Sequence, residues 1–436
     1  MRASLLARIP AMVAALGIVP LTAIVLKRAV DVPYWDEWEW ADLVYAAHRH
    51  TLTFAQLWQP HNEHRMLVPN LLMLGLDAVG GWSPVREQLL SLALLALTQL
   101  ALWALIRRTV RVAWSGVCFL VASVLLLGLV QYENLDWGFQ MAWFACDLCV
   151  VAVVLWLTRP HGSARDVMLA VTAATVASLS SSQGLLAWPV GLVALALVPR
   201  QRVERALWWC LCGVVVTAIV RSGAPGSGGP GHVGFTQVAL LARYVLAYLG
   251  APLALSFGAT VSMFAGALLL AWLAALAACA FRGPLRRRLQ VAPWLALALY
   301  PLLSAAATAA ARAGFGLEQA TSSRYTSITA LAWVAALAAT YVALARAPTL
   351  RTPSLGAVLV AVAATVLLLG SLKQSVAGNL AWHLHAVDLR AGRAAIDAGN
   401  PRGLSLLYPR PERATDLLGE LGQIRDGVFR EPRGGP

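Results

Sequence analysis

Apolar runs about 20 residues long, broken by short polar stretches, repeat along almost the whole chain. They fall near residues 9–26, 88–106, 112–130, 141–158, 167–182, 185–199, 206–221, 258–281, 290–311, 327–345 and 355–372. A helix of that length spans a hydrocarbon core of roughly 30 Å, so the pattern predicts an all-α polytopic membrane protein with about 11 transmembrane helices. The fifth and sixth runs are short. The first run has a basic start and a long apolar body without a small-residue cleavage site, and it reads as a retained first helix. Two other apolar stretches are interrupted: residues 65–79 by Pro69, Asn70 and Asp77, and 238–255 by Arg243, Gly250 and Pro252. Both read as surface helices in the outer interface. Residues 222–234 (SGAPGSGGPGHVG) have linker composition.

Charge assigns the sides. Arg107, Arg108, Arg111, Arg159, Arg165, Arg200, Arg202, Arg205, Arg282, Arg286 to Arg288, Arg346 and Arg351 fall in alternate loops, with Asp166 and Glu204 as the only acids there. That is the positive-inside pattern. It places the amino terminus in the cytoplasm and the carboxyl terminus outside the plasma membrane, with Lys27 and Arg28 on the unfavoured side. The domains follow: a transmembrane domain over 1–372, whose first extracytoplasmic loop is 27–87, and a small helical extracytoplasmic extension over 373–436. Composition agrees, with 59% apolar and 13% charged residues and a mean hydropathy of +0.67. The net charge of +13 is spread over the inner loops and does not form a nucleic-acid-binding face. The six cysteines lie inside apolar runs and read as small buried hydrophobes, the Cys146/Cys149 pair included.

One loop departs from this economy of charge. Residues 31–65 (DVPYWDEWEWADLVYAAHRHTLTFAQLWQPHNEHR) hold six acids, five Trp or Tyr residues before His48, and four histidines. An interfacial aromatic belt accounts for the tryptophans, but carboxylates gain nothing against anionic headgroups. The loop is therefore the candidate active site. On a helix the adjacent Asp36 and Glu37 point about 100° apart, so one can face a cleft while the other supports it. In QPHNEHR, His61 and His64 can share a helix face with Glu63 as metal ligands, although Pro60 disturbs the start of such a helix. Pairing of Arg65 with a phosphate, or a structural pairing, fits better. Other polar insertions fall on the same side: Glu133, Asn134, Asp136 and Gln140; Gln183; Glu318, Gln319, Arg324 and Tyr325. Arg243, Arg312 and Arg324 are candidate cations for an anionic, membrane-borne ligand. Asp147 lies inside a span, where an ionised group is costly.

The blocks YWDEWEW, QPHNEHR, YENLDWGFQ, SSSQGLLAWPVG and SSRY, with the order of spans and the long first loop, resemble the GT-C superfamily of integral-membrane glycosyltransferases. The resemblance covers the chain to about residue 372. It implies inverting transfer of a sugar from a polyprenyl-phosphate donor to an extracytoplasmic envelope glycan or lipid acceptor. By position, Asp36 is similar to the first-loop carboxylate that takes the acceptor's proton and Glu37 to its neighbour, while Glu63, His64, Arg65, Glu133, Asp136, Gln183, Arg243, Arg324 and Tyr325 would bind substrate. The chain lacks a WWD-type motif, which argues against transfer to asparagine. A divalent metal, Mg or Mn, is used by some members, and metal dependence stays open. The competing readings are a transporter or flippase for a lipid-linked or small anionic ligand, and an assembly partner in an envelope complex.

Overall fold

The computed structural model describes residues 9, 11–62, 64–198, 203–223, 235–344 and 355–429. Among them, ten helical stretches are long and apolar enough to cross a membrane: α1 (Ala11–Arg28), α2 (Pro84–Thr109), α3 (Val112–Asp136), α4 (Gly138–Leu157), α5 (Val203–Arg221), α6 (Gln237–Phe257), α7 (Ala259–Arg282), α8 (Leu285–Phe315), α9 (Ser323–Ala343) and α10 (Val358–Asp397). The chain is thus a helical, multi-pass membrane protein. The expected fifth and sixth spans are helices Ala164–Ser178 and Ala187–Leu197. At 1.5 Å per residue they are about 22 and 16 Å long, and α5 packs against them through Trp209, which donates from Nε1 to the Trp188 carbonyl at 2.8 Å.

The stretch expected as a surface helix over 238–255 is instead α6, inserted in the bundle with Tyr244, Ala247, Tyr248, Leu249 and Ala251 buried. The residues that looked like interruptions explain the insertion. Gly250 abuts the Ser262 carbonyl and Gly266 abuts the Leu246 carbonyl, so neither position has room for a side chain. The two helices approach along this seam as small-residue pairs do in lipid. The final turns carry Pro252, and Trp333 and Gln374 donate to the Leu249 and Leu253 carbonyls at 3.0 and 3.1 Å. By contrast, the helix after Arg65, Leu67–Gly80, is 14 residues long, too short to cross.

The two ends of the bundle differ in chemistry. At one end Arg108 donates to the Leu155 carbonyl at 2.7 Å and Arg159 pairs with Asp166 at 2.7 Å. The other end collects the first loop and the polar insertions, with a second core beneath them that includes Trp38, Trp40, Met66, Met73, Trp82, Trp137, Leu407, Leu417 and Leu421. The C-terminal extension supplies more than a third of that core. It grows out of α10, which belongs to a continuous 43-residue helix, Leu355–Asp397, running through residue 372 without a break. Helix Pro411–Ile424 then folds back onto helix Trp38–His48 of the first loop. Arg28 has its partner here too, donating to Asn379 at 2.6 Å and lying over the Trp382 ring, so it fastens α1 to α10.

Candidate functional site

The acids of the first loop divide by partner. Glu39 accepts from Tyr408 and from Arg410 at 2.8 Å. Asp42 accepts from Arg413 at 2.5 Å, which holds the Arg413 guanidinium above its ordinary range. Asp31 accepts from the Ser83 hydroxyl at 2.7 Å. Glu39 and Asp42, two of the loop's six acids, are docking contacts for the extension folded over it. Trp38 and Trp40 are core residues rather than a headgroup belt, and Trp40 donates to Asn70 at 2.9 Å.

Asp36 and Glu37 separate as their adjacency requires. They form a single 3-10 turn, Trp35–Glu37, pinned where Trp35 donates its N–H to the Leu407 carbonyl at 2.7 Å. Glu37 points inward, 1% exposed, and accepts from the N–H groups of Tyr34 at 2.8 Å and Phe139 at 3.1 Å. Glu87 stands beside it, held by Trp82 Nε1 at 2.8 Å. A Cβ at Gly138 would come within 2.6 Å of Glu87 Oε2 and 2.9 Å of Glu37 Oε1, so only glycine lets this turn pass the two carboxyl groups. Burial above all, offset in part by the backbone N–H groups, pushes Glu37 from an ordinary 4.5 up to about 8. Asp36 faces outward with its side chain 35% exposed, and His61 Nε2 lies 3.4 Å from its Oδ2.

His61 reaches Asp36 from a tight hairpin. Pro60 pairs with Arg65 and His61 with His64 across a two-strand bridge, where Asn62 adopts a left-handed φ of 51°. This corrects the helix-face arrangement of the two histidines: His61 packs on Phe139 and faces Asp36, whereas His64 Nδ1 accepts from the Ser182 N–H at 3.2 Å. Glu63 lies outside the described residues. Arg65 is 6% exposed. It donates to the carbonyls of Trp58, Val220 and Ser222 and lies over the Trp58 ring. Its guanidinium ties the hairpin to the end of α5, each of its three nitrogens donating to a carbonyl.

Around Tyr34, two positions before Asp36, the structure gathers Glu133, Asp136, Arg324 and His385. Tyr34 packs edge-on against Trp137 and His385, and its hydroxyl, pushed up to about 12 chiefly by burial, feels the charges of Glu133 and Arg324. Glu133 accepts from the Ser322 and Ser323 hydroxyls and the Arg324 N–H at 2.8 to 3.0 Å, so it shapes the turn that presents Arg324. The Arg324 Nε is buried with no hydrogen-bond partner. Both Asp136 oxygens are buried and unpartnered, and His385 Nε2 is 3.7 Å away. Gln183 stands on the flank near His64, bonded to Thr308 at 3.2 Å. Tyr325 is core, packed on Tyr248 and Trp143. Arg243 is exposed on α6. Tyr34, Glu87 and His385 join the site without a sequence expectation, and His61 joins it as the partner of Asp36 rather than as a metal ligand beside His64. For His385 no sequence signal was available, because it sits 249 positions beyond Asp136 on a helix read as ending at 372.

The chain matches no protein-family model, and no curated protein is similar to it.

Proposed function

We propose that the chain is a GT-C-type membrane glycosyltransferase, moving a sugar from a polyprenyl-phosphate donor to an extracytoplasmic envelope glycan or lipid acceptor with inversion. One observation carries the reading: an accessible carboxylate paired with a histidine, Asp36 and His61, shares one end of an apolar bundle with a guanidinium whose Nε has no partner, Arg324. In this reading the Asp36 carboxylate takes the proton of the acceptor hydroxyl as its oxygen attacks the anomeric carbon. The bond from that carbon to the phosphate oxygen breaks, and polyprenyl phosphate leaves with the electron pair. A phosphate leaving group needs little acid assistance, so one base and a cation for the developing charge suffice. His61 orients the base, Arg324 meets the phosphate, and Glu37 holds the turn that aims Asp36. The site then lies outside the plasma membrane, with the amino terminus and the Arg108/Arg159 end in the cytoplasm.

The test is transfer in membranes supplied with polyprenyl-phosphate sugar. Asp36→Asn should abolish turnover at unchanged protein level, and persistent turnover removes the base from Asp36. A transporter or flippase is the second reading, favoured by Asp147, a buried acid in α4 with Oδ1 unpartnered, at the depth where ion pathways run. Loss of ligand movement in Asp147→Asn proteoliposomes, with sugar transfer absent from the wild type, would decide for it.

A further inference from the structure

We propose that His48, Asp77 and Asp426 form a binding site for one divalent transition-metal ion of the zinc class, which fastens the C-terminal extension to the first loop. The three donors come from separate segments: the last residue of helix Trp38–His48, the final turn of Leu67–Gly80, and the turn after Pro411–Ile424. In that turn Arg425 takes a left-handed φ of 51° and Asp426 is directed inward. One ligand atom from each residue falls within 4.8 Å of the others, the one such group of three among the described residues. His48 Nε2 lies 3.1 Å from an oxygen of Asp77 and 3.1 Å from an oxygen of Asp426. Donors bound to zinc at 2.0–2.1 Å in tetrahedral directions stand ~3.3 Å apart, so the spacing is already close to that of a coordination shell.

Charge makes the same demand. Asp77 and Asp426 are 6% and 4% exposed and face each other. Among the described residues neither has a lysine or arginine partner, whereas Glu39 and Asp42 nearby are matched by Arg410 and Arg413. Asp426 takes N–H groups from Trp82 and Gly427. Two carboxylates bring two negative charges to one small space, which a divalent ion neutralises. One imidazole nitrogen with two carboxylates suits zinc or its transition-metal neighbours better than calcium. An open cleft of about 330 Å³ borders the three side chains and leaves room for water to complete the shell. The clamp stands apart from the glycosyl-transfer reading, although Trp82 links Asp426 to Glu87.

The experiment uses the full chain, purified in detergent without a histidine tag, saturated with zinc and freed of excess on a chelating resin. Metal content by plasma mass spectrometry should be about one zinc per chain in the wild type and in His50→Ala, and at least tenfold lower in His48→Ala and Asp426→Asn. Chelation should lower the apparent Tm of the wild type, and zinc should restore it, while His48→Ala should respond to neither. Equal zinc in wild type and His48→Ala overturns the assignment. So does a wild type without stoichiometric zinc whose Tm ignores chelation, which would leave the cluster as a histidine bridging two carboxylates.

Discussion

Replacing Glu37 by glutamine tests the interior of the site through its response to pH. In the wild type the two Glu37 oxygens serve two different N–H groups, those of Tyr34 and Phe139. A glutamine offers one acceptor, so one buried N–H is orphaned at a cost of about 1–3 kcal/mol. At low pH the variant is therefore the less stable protein. Glu37 titrates near 8 in the folded chain against an ordinary 4.5, so between those values the native state holds the extra proton. The wild type has this contribution in full below about pH 4.5 and loses it as pH rises through 8, by on the order of a few kcal/mol. The variant has no such proton to lose. Apparent Tm from the fluorescence of the 17 tryptophans, measured from pH 5 to 9, should show the variant a few degrees lower at pH 5 and level with or above the wild type at pH 9. A constant offset across that range would refute a buried, protonated Glu37.

Three further outcomes follow from the geometry. Arg324→Ala should raise the KM for the polyprenyl-phosphate donor about tenfold or more with a smaller change in kcat, and an unchanged KM would take Arg324 off the phosphate. Arg65→Met removes donors to three carbonyls and should lower stability by on the order of 3 kcal/mol; normal stability with weakened donor affinity would restore Arg65 as a phosphate contact. In a cysteine-free background, a cysteine at His161 should be labelled only after the membrane is opened and one at Ser405 in intact cells, and the reverse labelling would invert the topology.

The helical bundle was legible because lipid demands about 20 apolar residues per crossing and hydropathy records that demand directly. What misled was polarity taken one segment at a time. Gly250 and Pro252 read as breaks in an apolar run, yet one is the seam against α7 and the other sits where Trp333 and Gln374 cap the loosened carbonyls. The acids of the first loop read as chemistry, yet Glu39 and Asp42 answer arginines that lie 371 positions further on. Asp36 and Glu37 were separable from local geometry alone, since neighbours on one turn cannot face the same way. His61 was visible as a residue, but its meeting with Asp36 depends on a hairpin that a helical reading of QPHNEHR hides.

The continuous helix Leu355–Asp397 also makes the bundle a lever. Its 43 residues extend about 64 Å, roughly twice the apolar thickness of a bilayer. Trp382 and His385 ride on its C-terminal half beside Arg28 and Asp136, about 40 Å from its start at Leu355. Over that arm a tilt of only 3° at the foot becomes a displacement of about 2 Å beside Asp136. A tilt imposed at the foot, by a change in membrane thickness or a contact there, would therefore be felt beside the candidate chemistry.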